Sequence, residues 1–232
     1  MNTTPADTEL LETMLCRHGR ELPLLGRHLL RLKAAADALG FEWPGQANIE
    51  RAIRQVVSEK ANGQGDWRVR LLVSRQGEIR VQAYPLQSLE KAPCVAVAPD
   101  RLRSDEPLLR FKTTYRPWYA SATAWLAGHP AYFDLLFVNE HGALCEGSRS
   151  NVYVLRDGAW CTPPISAGLL GGVMRSQLLE SGRAFEADLT TDDLLRPGAQ
   201  IRLSNGLRGW FDVRLCQTAG DGAQGTPATP PG

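Results

Sequence analysis

Two stretches with helical periodicity, residues 26–39 and 47–61, restrict the fold most. In the first, Leu29, Leu32, Ala36 and Leu39 recur at helical spacing and Gly40 supplies a stop. In the second, Ile49, Ile53, Val56 and Val57 mark one face, and Asn62-Gly63 ends it. A helix with a single apolar stripe needs another layer to cover that stripe. The flanking residues supply strands. Residues 10–16 are apolar apart from Glu12 and Thr13, and with a His18-Gly19 turn and a second run at 22–25 they predict a hairpin. Residues 67–74 and 78–84 alternate about an Arg75-Gln76-Gly77 turn and predict another. Residues 94–98 form one more apolar run.

The polar segment from Pro99 to Pro107 is bounded by prolines and carries mixed charge. It predicts a linker at 100–107 between a smaller N-terminal domain, 1–99, and a C-terminal domain, 108–217. In the second half, strands are expected at 133–139, 143–146, 151–155 and 201–204, helices at 118–127 and 173–181, and a last segment, 209–215, closes the fold. The tail, 218–232, is built of Gly, Pro, Ala and Thr and is expected to be disordered. Hairpins mixed with helices in two halves predict an α+β fold.

With 43% hydrophobic residues in 232, the chain can bury a sizeable core. A formal net charge of +1 gives no bulk field to draw nucleic acid or a membrane surface. No apolar run reaches membrane-spanning length, and the first residues lack the basic-then-apolar order of a signal peptide. The five cysteines are odd in number and none forms a CxxC pair, so neither a disulfide framework nor a zinc site is expected, and no metal. The expected compartment is the cytoplasm. Arginine far outnumbers lysine, which suits planar carboxylates or phosphates and equally fits a biased genome.

Four stretches carry chemistry. LLRFKTTYRPWY, residues 108–119, presents Lys112 between an apolar approach and hydroxyl, phenol and guanidinium groups. Lysine forms Schiff bases once burial or a nearby cation lowers its pKa, although a lone lysine is usually a solvated charge. SAGLLGGVMRS, residues 166–176, joins a glycine-rich loop to a helix start, whose free N–H groups attract anions, phosphate above all. CEGSRSNVY, residues 145–153, offers Glu146 at a strand rim, where a carboxylate can pair with a cationic ring nitrogen. LSNGLRGW, residues 203–210, offers Ser204 and Asn205 beside a glycine. His28 and Arg31, three apart on the first helix, taken alone indicate a solvated side. An amine, a carboxylate and a phosphate cradle are together what pyridoxal phosphate requires.

With LLETM and GRHLLRL, these motifs stand in an order that resembles the class IV aminotransferases, the fold-type IV pyridoxal-phosphate enzymes, and among them most the aminodeoxychorismate lyases. The resemblance spans residues 10–215 and is carried most specifically by Glu146-x4-Asn151 and Gly172-Val173-x-Arg175. It implies a small N-terminal α/β domain, a larger β-barrel-like C-terminal domain, a small-molecule substrate and a homodimer. It implies pyridoxal 5′-phosphate on Lys112, Glu146 at the ring nitrogen, and Arg31, the N–H groups of Val173 and Met174, and Ser204 at the phosphate. Thr13 falls where the lyases place a threonine near the substrate. Arg116, four residues after the lysine, is a lyase feature, while the branched-chain transaminases carry a tyrosine where this chain has Pro117. Arg116, Tyr115, Asn205 and Arg208 are the expected substrate contacts, and Tyr115 or Tyr119 stands in for the tyrosine at the cofactor's phenolic oxygen. The chain starts too late for the extra N-terminal strand of the family, and its Gly-Gly-Val step replaces a commoner Pro-Gly step. The implied reaction is conversion of 4-amino-4-deoxychorismate to 4-aminobenzoate and pyruvate. The alternatives are transamination of a D- or branched-chain amino acid, and a relic that binds without chemistry.

Overall fold

The computed structural model describes residues 4–60 and 65–216. The N-terminal part is an antiparallel sheet in the order β1 (Leu10–Cys16), β2 (Trp67–Val73), β3 (Ile79–Pro85), covered by α1 (Leu25–Leu39) and α2 (Gln46–Lys60). Leu29, Leu32, Ile49 and Ile53 from the helices pack on Leu10, Met14, Val69 and Leu71 from the strands. Each large aliphatic side chain buried here contributes about 1.5–3 kcal/mol. Gly40 ends α1 in the left-handed region at φ 69°, its N–H donating to the Ala36 carbonyl. The expected stop of α2 at Asn62-Gly63 lies outside the described residues.

The predicted hairpin of 10–16 with 22–25 does not form. β1 pairs along its whole length with β2, and the only trace of the hairpin is an Arg17–Glu21 bridge. Pro23 cannot donate to a ladder, whereas the run from Leu25 satisfies its backbone as helix.

The second sheet is made of β4 (Cys94–Leu102), β5 (Tyr132–Asn139), β6 (Leu144–Gly147), β7 (Asn151–Arg156), β8 (Ala159–Thr162), β9 (Phe185–Glu186), β10 (Ile201–Asn205) and β11 (Gly209–Leu215). Its order is β10-β11-β4-β5-β6-β7-β8-β9, and β10 also pairs with β7. That second pairing closes β4–β7, β10 and β11 into a barrel, with β8 and β9 outside the ring. The helices of this part are α3 (Ala120–Gly128), α4 (Val173–Glu180) and α5 (Thr191–Leu195). β5 is apolar nearly throughout because both faces are covered. Leu136 and Val138 pack with Val152, Val154 and Leu203, while Leu135 and Phe137 pack with Ala122 and Leu126 of α3.

The predicted domain boundary is corrected by this sheet. β4 runs to Leu102 and lies parallel to both β5 and β11, so residues 94–102 belong with the second sheet, and 100–107 is not a free linker. The chain crosses between sheets at 86–93 instead. The polar, proline-containing stretch that suggests a linker sits at a register shift between Val97 and Arg101, where the missing N–H of Pro99 is tolerated. Parallel pairing of β4 and β11 also brings together Cys94 and Cys216, which form a disulfide across 122 residues with Cα atoms 5.8 Å apart. No short-range cysteine spacing signals such a pair. The tail at 218–232 lies outside the described residues, among which no helix is long and apolar enough to cross a membrane.

Candidate active site

The face of the three-stranded sheet opposite its helices meets the rim of the barrel. The lysine loop joins the two: the Leu11 N–H donates to the Lys112 carbonyl at 2.9 Å, and the Thr114 N–H to the Glu9 carbonyl at 2.9 Å. Between them lies a cleft of about 290 Å³, lined from the first sheet and α1 by Leu11, Thr13, Arg31 and Arg68, and from the barrel by the ends of β6 and β10 and the start of α4.

Strand register explains the Glu-x4-Asn spacing. Glu146 at the end of β6 is paired with Asn151 at the start of β7, and Asn151 is paired with Ser204 of β10. Three polar side chains thus stand in one row at the barrel mouth. The intervening turn is held from below by Asp134, a fully buried carboxylate. It accepts from the Ser148 N–H at 2.9 Å, the Ser148 hydroxyl at 2.6 Å and the Ser150 hydroxyl at 2.5 Å. A Cβ on Gly147 would come within 2.3 Å of that carboxylate, so the turn requires glycine there.

Glu146 is 4% exposed. One oxygen accepts from the Tyr119 hydroxyl at 2.5 Å and the Leu170 N–H at 3.1 Å, and the other from Asn151 Nδ2 at 3.4 Å. Burial outweighs these donors and pushes its carboxyl up to about 7. Lys112 keeps some surface toward the cleft, but dense surrounding protein strips water from its amine. That desolvation, with the nearby Arg116 and Arg31 cations, brings the amine down to about 7. Arg116 donates to the Ser148 carbonyl and lies over the Tyr119 ring, 4.5 Å from its centre.

The anion cradle is built from both sheets. Gly172 is the N-cap of α4, leaving the first N–H groups of that helix, those of Val173 and Met174, outside its hydrogen-bond ladder. A Cβ on Gly172 would meet Asn151 Oδ1 at 2.0 Å, so the close approach of loop and strand requires glycine. Ser204 Oγ is 2.8 Å from the Tyr153 hydroxyl. Arg31 reaches in from α1, and His28 and Arg31 are not solvated as their spacing suggests: both bind Glu12, and His28 is 1% exposed.

Thr13, Arg31, Lys112, Arg116, Glu146, Val173, Ser204, Asn205 and Arg208 all line the cleft. Asn205 is largely occupied in its own turn, accepting from the Leu207 and Arg208 N–H groups, and Arg208 donates to the Gln87 carbonyl. One expectation needs correction. Tyr115 does not line the cleft; its ring packs edge-on to Trp118, because the Thr113 hydroxyl bonds the Tyr115 carbonyl and turns the chain there. Met174, for which only the N–H was expected to matter, presents that N–H at the helix start while its side chain packs with Tyr153 and Leu178. The other tyrosine weighed for the cofactor's phenolic oxygen, Tyr119, is committed to Glu146. Sequence reasoning also passed over Asp134, Glu12 and Arg68. Of these Glu12 and Asp134 left a signal, a charge within an apolar strand.

Residues 9–216 match the family model described as amino-transferase class IV. The chain belongs to the class IV aminotransferase family. A member from Schizosaccharomyces pombe, named "Putative aminodeoxychorismate lyase", is 38% identical over 207 residues, which is 87% of each protein. A crystal structure of a "Putative amino-acid aminotransferase" from Mesorhizobium loti is similar at a TM-score of 0.78 and 35% identity, over 90% of this chain and 100% of that one. The fold is shared with a hypothetical aminotransferase from Mycobacterium tuberculosis in its PLP-bound form, at a TM-score of 0.75 and 24% identity over 89% and 81% of the two chains.

Proposed function

We propose that this class IV enzyme uses pyridoxal 5′-phosphate to convert 4-amino-4-deoxychorismate to 4-aminobenzoate and pyruvate. The cleft fits the cofactor. Lys112 would hold it through the amine, Glu146 at the ring nitrogen, and Arg31, Ser204 and the N–H groups of Val173 and Met174 at the phosphate. Gly172, the N-cap, has no side chain to bond the first N–H groups, which leaves that helix start open to an anion. When bound, pyridoxal phosphate supplies an aldehyde that captures amines and a cationic ring that withdraws electrons from the captured carbon.

The chain's own groups supply the rest. An amine near neutral pKa exchanges protons readily at pH 7, so Lys112 Nζ, once the substrate's amine has taken its place on the aldehyde, would take the proton from C4 of the substrate. Glu146, whose carboxyl is raised by burial, regains its charge when a cation sits beside it, and so favours a protonated ring nitrogen. Loss of the C4 proton and of the enolpyruvyl group as pyruvate leaves an aromatic ring, which drives the reaction. Thr13, which lines the cleft, would lie beside the substrate.

The observation that carries the choice of substrate is Arg116, lining the cleft with Lys112 while Arg68 and Arg208 line it too. Guanidinium groups on several sides suit a substrate with two carboxylates. The S. pombe relative's name supports the same reading. Transamination of a D- or branched-chain amino acid is the second reading, favoured by the name of the M. loti neighbour. The test is 4-aminobenzoate fluorescence against 2-oxo-acid-dependent amino exchange. Formation of 4-aminobenzoate that disappears in Lys112→Ala is the expected result. Turnover retained in Lys112→Ala rejects the assignment, and amino exchange without 4-aminobenzoate selects the second reading. A homodimer is part of the proposal, and light scattering checks it.

A further inference from the structure

Leu10, Glu12, Met14 and Cys16 alternate on the side of β1 that faces α1, and three of the four belong to the apolar core. Glu12, the fourth, is 1% exposed. A carboxylate in such a place is costly unless it is paired and hydrogen-bonded. All its partners come from α1. Arg31 Nε donates to Oε1 at 2.8 Å and Nη2 to Oε2 at 2.5 Å, a two-pronged fork, while His28 Nδ1 is 2.6 Å from Oε2. The third nitrogen of the guanidinium, Nη1, reaches the barrel side and donates to the Gly171 carbonyl at 3.3 Å, next to the start of α4. The far side of the His28 ring abuts the β10–β11 turn, where a Cβ on Gly206 would lie 2.7 Å from Nε2. Arg31 is thus gripped from behind by a residue that does not line the cleft, and its free edge faces the anion cradle.

We propose that Glu12 is a positioning residue: its fork with Arg31, braced by His28, sets the guanidinium plane for the phosphate of the cofactor. This rests on the assignment of Arg31 to the phosphate. Burial alone would raise the Glu12 carboxyl, but Arg31 and His28 hold it down at about 2, so the fork is fully ionised at neutral pH. A bystander role makes the opposite forecast. A carboxylate that merely sits beside Arg31 subtracts from the positive field, and its removal should tighten binding of a dianion. A carboxylate that fixes the fork geometry should, when removed, loosen it.

The probes are pyridoxamine 5′-phosphate and pyridoxamine, which lack the aldehyde, titrated calorimetrically into the full-length protein freed of cofactor. The ratio of their affinities isolates the contribution of the phosphate. Glu12→Gln is expected to lower that ratio on the order of tenfold, with the affinity for pyridoxamine unchanged. Arg31→Gln is expected to lower it at least as far, and the double variant no further than Arg31→Gln alone. A ratio unchanged or raised in Glu12→Gln overturns the positioning role. A ratio unchanged in Arg31→Gln instead overturns the placement of Arg31 at the phosphate. Should Glu12→Gln fail to fold, Arg31→Lys carries the test, since lysine keeps the charge and cannot form the fork. Its ratio is expected to fall like that of Arg31→Gln, and a ratio retained in full overturns the proposal.

Discussion

The reactive state of Lys112 is set by its surroundings, and the effect is large enough to measure directly. Moving the amine from 10.5 to about 7 changes its neutral fraction at pH 7 from about one in three thousand to about a half, a gain of roughly a thousandfold. Competitive acetylation of the folded protein freed of cofactor, against free lysine and read by peptide mass spectrometry across pH, reports this fraction at Lys112 alone. The expected midpoint lies near 7. Substitutions should move it with definite signs. Arg116→Gln removes a cation that disfavours the charged amine, so the midpoint rises toward 10.5, and Arg31→Gln raises it less. Glu146→Gln removes a carboxylate that favours the charged amine, so the midpoint falls further. A wild-type midpoint within one unit of free lysine, in protein shown to be folded by circular dichroism, would refute the argument that desolvation prepares this amine.

Two more outcomes follow from the site geometry. Glu12 has a folded value of about 2 against 4.5 unperturbed, so its stabilising effect is full above about pH 5 and is lost as pH falls through 2. Chemical denaturation of wild type and Glu12→Gln should differ by about 3 kcal/mol more at pH 6 than near pH 2; a gap constant with pH would show that the carboxylate's charge is not the source. Gly172→Ala forces a methyl group against Asn151 Oδ1, and should cost about 1–3 kcal/mol in denaturant titration and weaken phosphate-bearing ligands; wild-type behaviour in both would mean the loop has room.

Much of this architecture could be read without coordinates. The stripes of α1 and α2, the doubly covered run of β5, and the four motif stretches were legible because each depends on spacings of two to seven residues. Covalent geometry alone turns such spacings into faces of a helix or strand. Those motifs, in their order, were also enough to point to the family and to Lys112, Glu146 and Arg31 as residues that come together at one cleft. Partner choice was not legible. β1 joins β2 across some fifty residues rather than the run just after it, β4 leaves the N-terminal half to complete the barrel, and Cys94 finds Cys216. The burial of Glu12 and the turning away of Tyr115 belong to the same class. Whether a strand pairs with its neighbour or a distant segment, and whether a charge meets water or a partner, depends on total burial and hydrogen-bond satisfaction summed over the assembled layers, and no local window of residues contains that sum.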